Sequence, residues 1–284
     1  MSSYAFPAPG GVEAPRAARP RLRAAIALGA SLAPRGPTVK IALAVAALTT
    51  LGACVTAVVL AAGEAGDGLV EVAAATSSAL AWTAGILVAV PASVEALRYD
   101  RRRGIRALLL ARGVTAKTYA RGRVAGLAAI LFGVVGGGTL IAGCVAFLAA
   151  SRAGAGARAF EGLIASLAYV VAYVGVVAPL AFAVLGARPR AGGFVTFIAL
   201  LVVPELAKPW TSDLVPPAWG DLLGLPSALS ALRASLAPHA LDPARFARAA
   251  FVLAAFAVLA FAFVQAEIAW LDGEPGAEGE GQRR

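Results

Sequence analysis

The chain has 284 residues, of which 60% are hydrophobic and only 14% charged, and its formal net charge is +9. A soluble domain carries about a quarter charged residues, so this composition excludes an ordinary soluble protein and indicates a membrane protein. In so apolar a chain the basic excess fits loops that face anionic lipid and the cytoplasm, and we expect no nucleic-acid partner.

The first 36 residues precede any apolar run long enough to cross a membrane. Residues 1–15 are rich in Pro and Gly and lack the apolar core of a cleavable signal peptide, which predicts a disordered cytoplasmic leader. Residues 16–36 place Leu22 and Ile26 on one helical face, and Arg19 and Arg23 on another. This pattern predicts an amphipathic helix in the membrane interface.

Six apolar runs follow. A helix needs about 20 apolar residues to cross a hydrocarbon core about 30 Å thick. The runs that meet or approach this length, the fifth being the shortest, are residues 39–62, 69–94, 124–150, 160–185, 192–206 and 246–266. They predict an all-α integral membrane protein with one six-span domain over residues 37–267. The acidic, Gly-rich residues 268–284 are predicted to be a disordered cytoplasmic tail.

The distribution of Lys and Arg predicts the orientation of the spans. With the N-terminus inside, 19 of these residues fall on the cytoplasmic side and six on the outer side. The positive-inside rule therefore predicts a multi-pass protein of the cytoplasmic (inner) membrane with both termini in the cytoplasm. In the outer segment between spans 5 and 6, leucines recur at helical spacing behind Ser227, a possible N-cap. This segment is predicted to be an outer amphipathic or re-entrant helix.

The densest positive charge lies between spans 2 and 3. Nine of the 26 residues at 98–123 are Lys or Arg. Within this stretch Ile105, Leu108 and Leu109 stand at i, i+3 and i+4, so they share one face of a short helix. Thr115 is positioned to cap a second helix that leads into span 3. Positive-inside anchoring requires the charges but not an ordered apolar face, whereas a protein-docking surface requires both.

No residue pattern indicates catalysis or metal binding. The chain contains no HExxH, GxSxG or GxxxxGK[ST] motif, and its two cysteines and one histidine cannot form a metal cluster. No ionisable residue stands near the middle of a predicted span, which disfavours an ion-coupled carrier. Five acids near span ends are predicted to be solvated at the interface: Glu71, Glu95, Glu161, Glu205 and Glu267. We expect no enzymatic activity and no cofactor in this chain.

The glycines and the hydroxyl-bearing residues within the spans can each be interpreted in two ways. Glycines one helical turn apart permit close helix approach, either within one bundle, which we favour, or at a dimer seam: Gly122, Gly126, Gly133 and Gly137. Hydroxyls within a helix usually bond back to their own backbone. The alternative is that Thr76, Ser77 and Ser78 soften a translocation path.

The basic segment resembles the loop between spans 2 and 3 in the membrane subunit of type-2 ATP-binding-cassette (ABC) exporters. That loop carries an acid, a basic pair, Gly-Thr, a Leu-rich helix, a turn, and Gly-Lys at the start of span 3. The corresponding residues here are Asp100, Arg101, Gly104, Leu108, Leu109, Val114, Thr115, Gly122 and Arg123. The departures are Asp100 for Glu, Ile105 for Thr, Gly113 for Pro and Arg123 for Lys.

The resemblance implies a permease that works as a homodimer or heterodimer with two separately encoded ATPase subunits, which carry the ATP and Mg. It implies that the interfacial helix and the basic segment dock on the ATPase through Asp100, Arg101, Arg102, Arg103, Gly104, Ile105, Arg106, Leu108, Leu109 and Arg112. Lipid, lipid-linked glycan, peptide or drug, and haem- or copper-maturation cargo all remain open. The alternatives are a stand-alone channel or carrier and a membrane assembly protein with no transport role.

Overall fold

The structure, a computed structural model, describes residues 37–63, 66–102, 116–152, 154–186, 191–211, 214–220, 222–236 and 242–272. Within these ranges the chain is almost entirely helical and contains no strand, which confirms the all-α prediction. The predicted interfacial helix at 16–36 lies outside the described residues, and so do residues 103–115 of the basic segment.

The described α-helices are α1 Pro37–Ala62, α2 Gly66–Leu80, α3 Ile86–Arg102, α4 Ala116–Leu131, α5 Gly137–Arg152, α6 Gly156–Ala181, α7 Ala191–Thr211, α8 Pro217–Gly220, α9 Leu225–Ala234 and α10 Pro243–Asp272. Three π-helical turns continue them. Ala81–Gly85 joins α2 to α3, Phe132–Gly136 joins α4 to α5, and Phe182–Gly186 follows α6. Such turns insert an extra residue into a helix and are frequent at functional sites.

Six helical stretches are long and apolar enough to cross a membrane, as predicted: Thr38–Ala62, Gly68–Val94, Lys117–Arg152, Gly156–Leu185, Gly193–Trp210 and Pro243–Gln265. We number them spans 1 to 6. Because the connections after spans 1, 3 and 4 are short, the spans that they join run antiparallel. We call the end of the bundle that carries α9 the α9 end, and the end that carries residues 98–102 and 116–123 the basic end. The protein is therefore a multi-pass membrane protein.

Three predicted span limits and the predicted tail differ from the structure by four residues or more. Span 4 begins at Gly156 rather than at residue 160. Span 3 begins at Lys117 rather than at residue 124, because the basic first turns of α4 remain helical. There Arg123 is buried, with its guanidinium carbon 5.6 Å from the centroid of the Tyr119 ring. Span 5 continues through Pro204 to Trp210 rather than ending at residue 206. The last helix runs to Asp272, into the region predicted as tail.

Span 4 forms the centre of the bundle, since 67% of its apolar window is buried, against 11% for span 1. Helix α9 packs against spans 4, 5 and 6. Leu225, Leu229 and Leu232 of α9 are buried, as its amphipathic pattern predicts. Its N-cap is Gly224 and not Ser227, which lies inside the first turn.

The four predicted packing glycines form two pairs. Gly122 and Gly126 are buried in α4. By contrast, a side chain at Gly133 or Gly137 would meet open space. Close helix contacts also occur at three glycines that were not predicted, where an added Cβ would crowd a neighbouring helix: Gly138 against Leu80 and Thr50, Gly143 against Leu163, and Gly162 against the backbone oxygen of Val70.

Candidate functional site

Most hydroxyl groups in the spans bond back to their own helix. Their oxygens donate to a carbonyl three or four residues earlier, which confirms the prediction for Thr50, Thr56, Thr76, Ser77, Thr83 and Thr139. Ser78 differs from them, because its hydroxyl oxygen accepts a hydrogen bond from Arg233 Nη1 at 2.5 Å. Ser78 therefore marks the polar site inside the bundle.

Arg233 extends from the last turn of α9 into the space between spans 2 and 4. Its Nη1 also donates to the Ala74 carbonyl oxygen at 2.7 Å, and its guanidinium carbon lies 5.2 Å from the centroid of the Tyr169 ring. Ser78 is ten residues past Gly68, where span 2 begins, which is about 15 Å along the helix at 1.5 Å per residue. The cation thus lies near the middle of span 2.

The described groups that contact the Arg233 guanidinium are neutral. Among the described residues Arg233 has no acidic partner; its contacts are a carbonyl, a hydroxyl and an aromatic ring. A hydrogen bond to a charged group contributes about 1.5–3 kcal/mol, and a desolvated cation–π contact about 2 kcal/mol. The guanidinium is half-buried and retains donors that the contacts to Ala74 and Ser78 do not use.

Three aromatic residues continue the site from Arg233 towards the middle of the bundle. Tyr169 and Tyr173 stack with centroids 6.5 Å apart, and Trp82 meets Tyr173 edge-on at 5.7 Å. The Tyr173 hydroxyl donates to the Ala81 carbonyl oxygen at 2.6 Å. A Cβ at Gly85 would lie 2.6 Å from the Tyr173 hydroxyl oxygen. The π turn from Ala81 to Gly85 therefore accommodates this hydroxyl: Ala81 accepts its hydrogen bond, and the absence of a side chain at Gly85 leaves room for it.

The Tyr169 hydroxyl is a buried polar group beside Arg233. The residue is 1% exposed, and its hydroxyl makes no hydrogen bond of normal geometry with the described residues, although Ser78 and Trp82 lie beside it. Buried hydroxyls in proteins are usually hydrogen-bonded, so such a group stands out. The same Tyr169 side chain thus presents its ring face to Arg233 and holds its hydroxyl among buried neighbours.

A second polar cluster fixes the beginning of α9. Glu205 Oε1 accepts the Ser227 backbone N–H at 2.8 Å and also the Ser227 hydroxyl. Lys208 pairs with Glu205 Oε2 at 2.8 Å and donates to the Ser227 hydroxyl oxygen. The carboxylate lies against Gly224, where a Cβ would collide with it. A carboxylate at this position satisfies an unpaired helix N–H and complements the helix dipole.

The predicted solvation of the acids thus holds for some of them only. Glu71 and Glu161 are exposed as expected. For Glu205 the prediction was wrong, because this carboxylate is 27% exposed and paired within the protein. The side chains of Glu95 and Glu267 lie outside the described residues.

The predicted docking residues fall mostly outside the described part of the chain. Asp100, Arg101 and Arg102 form the last residues of α3 by their backbone. The remaining docking residues, from Arg103 to Arg112, lie outside the described residues, as do Leu22, Ile26, Arg19 and Arg23 of the interfacial helix. The described residues contain no group that could hold a metal ion.

The cluster of Arg233, Tyr169, Tyr173 and Trp82 was not predicted from the sequence. One signal for it exists in span 4, where Ser166, Tyr169 and Tyr173 recur at i, i+3 and i+7 on one helical face. No comparable signal marks Arg233, because its partners are 155 and 159 residues away in the chain.

No protein-family model and no curated protein matches this chain. The function of the site therefore follows from its geometry and from the sequence. Helix α9 is attached at its first turn to span 5 through Glu205, and at its last turn to span 2 through Arg233. Both attachments join separate elements, so a displacement of span 2 or span 5 must change them.

Proposed function

We propose that this chain is the membrane-embedded permease subunit of an ABC transporter of the exporter type. It acts as a homodimer or heterodimer in the cytoplasmic membrane, with both termini inside, and an ATPase on a separate chain binds and hydrolyses ATP with Mg. The observation that carries the proposal is the basic segment at 98–123, with its apolar face of Ile105, Leu108 and Leu109. Six spans with an additional helix between spans 5 and 6 support it.

The helices around the basic segment are suited to transmit movement. Helix α3 continues to Arg102, eight residues past the end of span 2 at Val94, and α4 begins at Ala116 and leads without interruption into span 3. A partner that docks on residues 103–115 therefore acts on the ends of two long helices. ATP can shift the bundle only if the docked ATPase favours one of its conformations.

Span 2 also connects the two polar regions of the molecule. Its basic end leads into the docking segment, and near its middle it holds Arg233 of α9 through Ala74 and Ser78. Movement of span 2 under the docked ATPase would break or re-form these hydrogen bonds. We therefore expect α9 to change its contacts in step with ATP binding.

The direct test is co-purification with the ATPase encoded by a neighbouring reading frame with Walker A and Walker B motifs. The double variant Leu108→Asp, Leu109→Asp places charge on the predicted docking face and is expected to lose the complex and its ATP hydrolysis. The matched control is Leu110→Asp, on the opposite face of the same predicted helix. If the double variant forms a complex as active as the unmodified protein, the docking proposal is wrong.

One observation favours a second candidate, a stand-alone carrier for anions. Arg233 places a cation near the middle of span 2 with no acidic partner among the described residues. Intramembrane charges mark transport pathways in many carriers. Liposomes that contain this chain alone test the alternative. Anion uptake without ATP that is lost in Arg233→Gln supports the carrier, and uptake that requires the ATPase excludes it.

A further inference from the structure

A groove separates spans 1 and 2 at the α9 end of the bundle. Its volume is about 430 Å³, and it is lined by Thr49 and Thr56 of span 1 and by Glu71, Ala75, Thr76 and Ala79 of span 2. This volume falls within the range of about 300–1,000 Å³ that is typical of ligand sites. The groove is separate from the Arg233 cluster, which uses Ala74 and Ser78 of span 2.

The polar groups of the groove are mainly hydrogen-bond acceptors. The Thr56 hydroxyl donates to the Gly52 carbonyl oxygen at 2.9 Å, and the Thr76 hydroxyl to the Val72 carbonyl oxygen at 2.7 Å. Each hydroxyl has thereby used its only hydrogen and offers lone pairs to a ligand. The Thr49 hydroxyl makes no hydrogen bond with the described residues, so it can either donate a hydrogen bond to a ligand or accept one from it.

Glu71 is the acidic residue among the described residues that line the groove. Its side chain is exposed and has no cationic partner among the described residues. It stands three residues past Gly68, the start of span 2, so it lies about 5 Å along the helix from that end. Ala75 and Ala79 line the deeper, apolar part of the groove. A carboxylate near the membrane surface, next to an apolar part of the same groove, is complementary to an amphiphile with a cationic head.

We propose that this groove binds an amphiphile that carries a protonated amine. The ammonium group lies at Glu71 and donates hydrogen bonds to the carboxylate and to threonine oxygens, while the alkyl chain runs past Ala75 and Ala79. An anionic head is repelled by Glu71, and a neutral alcohol lacks the charge. The inference does not depend on an ATPase, so it can fail or hold independently of the proposed permease function.

The test uses the full chain in non-ionic detergent with dodecylamine as the probe, and dodecanol and dodecanoate as neutral and anionic probes of equal chain length. Calorimetric titration is expected to show one saturable site for dodecylamine. Glu71→Gln should weaken this binding about tenfold or more, because it removes an ion pair in a partly apolar site. The control Glu161→Gln removes an exposed acid at the same end of the bundle, outside the groove, and should leave binding unchanged.

A second pair of variants tests the apolar part of the groove. Ala75→Leu fills the groove from an exposed position and is expected to abolish binding without disturbing the core, whereas Ala129→Leu, exposed on span 3, should have no effect. Three results would overturn the proposal: non-saturable uptake, equal binding of dodecanol or dodecanoate, or equal losses in Glu71→Gln and Glu161→Gln. Size-exclusion profiles like that of the unmodified protein establish that each variant is folded.

The amine can come from a membrane aminolipid or from a soluble lipophilic compound. Nanodiscs of phosphatidylcholine with and without phosphatidylethanolamine separate these sources. If phosphatidylethanolamine displaces dodecylamine, the groove takes an aminolipid headgroup. If it does not, while dodecylamine still binds through Glu71, the groove takes a soluble lipophilic amine.

Discussion

Spans 1 and 4 are almost equally apolar but occupy opposite positions in the protein. Their mean hydropathies are 2.3 and 2.2, yet 11% of span 1 and 67% of span 4 is buried. Span 1 exposes large side chains such as Leu48, at 69%, whereas span 4 buries Tyr169 and Tyr173 completely. Lipid tails are as apolar as leucine, so hydropathy cannot distinguish a lipid-facing helix from a central one. Polar side chains that require hydrogen-bond partners, such as the tyrosines of span 4, do distinguish the two helices.

The difference between the two spans bears on function as well. Span 4 holds the aromatic cluster and contacts helices throughout the bundle, so its position is determined by many contacts. Span 1 has little buried surface: it packs against spans 2 and 3 through one side, and most of its residues lie outside the bundle. The groove with Glu71 lies beside this weakly buried helix. The buried aromatic cluster thus lies at the central helix, whereas the groove lies at a peripheral helix that ligands can reach from outside the bundle.

Truncation of a large side chain is expected to produce the largest contrast between the two spans. Tyr173→Ala leaves a cavity in span 4 that its packed neighbours cannot fill, and we expect a loss of about 3–5 kcal/mol in the free energy of unfolding. Leu48→Ala in span 1 removes a side chain that faces lipid, and its effect should stay below about 0.5 kcal/mol. Unfolding by SDS titration from detergent micelles measures both. Equal losses would show that span 1 is buried in the functional assembly.

Addition of one methyl group is expected to give the next largest contrast. A Cβ at Gly162 of span 4 would lie 2.9 Å from the backbone oxygen of Val70, whereas Gly52 of span 1 has no atom within 4 Å of that position. Gly162→Ala should therefore destabilise the protein by about 1–3 kcal/mol. Gly52→Ala should be neutral or stabilise it by up to about 1 kcal/mol, through helix propensity.

A second position within span 4 controls for the substitution itself. Gly175 also has open space around it, so Gly175→Ala should behave like Gly52→Ala although it lies in the central helix. The same SDS titration applies to all three variants. A stable Gly162→Ala protein would mean that spans 2 and 4 can separate at no cost in free energy.

Local sequence patterns were sufficient for the spans and for α9, but not for the site. Hydropathy averaged over a whole helix reveals a span, and the leucine spacing of α9 gives its buried face. The position of Arg233 depends on how α9 packs, so its charge was assigned to an outer loop. Glu205 was likewise assigned to the interface, although Lys208 and Ser227 compensate its charge. The contacts of Arg233, and those between Glu205 and Ser227, join residues far apart in the chain and leave no periodic pattern; only the i,i+3 spacing of Glu205 and Lys208 is visible in the sequence.

Removal of a single hydroxyl group gives the smallest expected contrast. Tyr173→Phe keeps the ring but leaves the buried Ala81 carbonyl without the 2.6 Å hydrogen bond across the bundle, and we expect a loss of about 1–2 kcal/mol. Thr56→Val removes an exposed hydroxyl of span 1 that bonds only to its own helix, and should change stability by less than about 0.5 kcal/mol. If Tyr173→Phe is as neutral as Thr56→Val, the π turn at Ala81 does not need its partner. The whole effect of Tyr173→Ala would then come from the volume of the ring, and close packing alone would set span 4 apart from span 1.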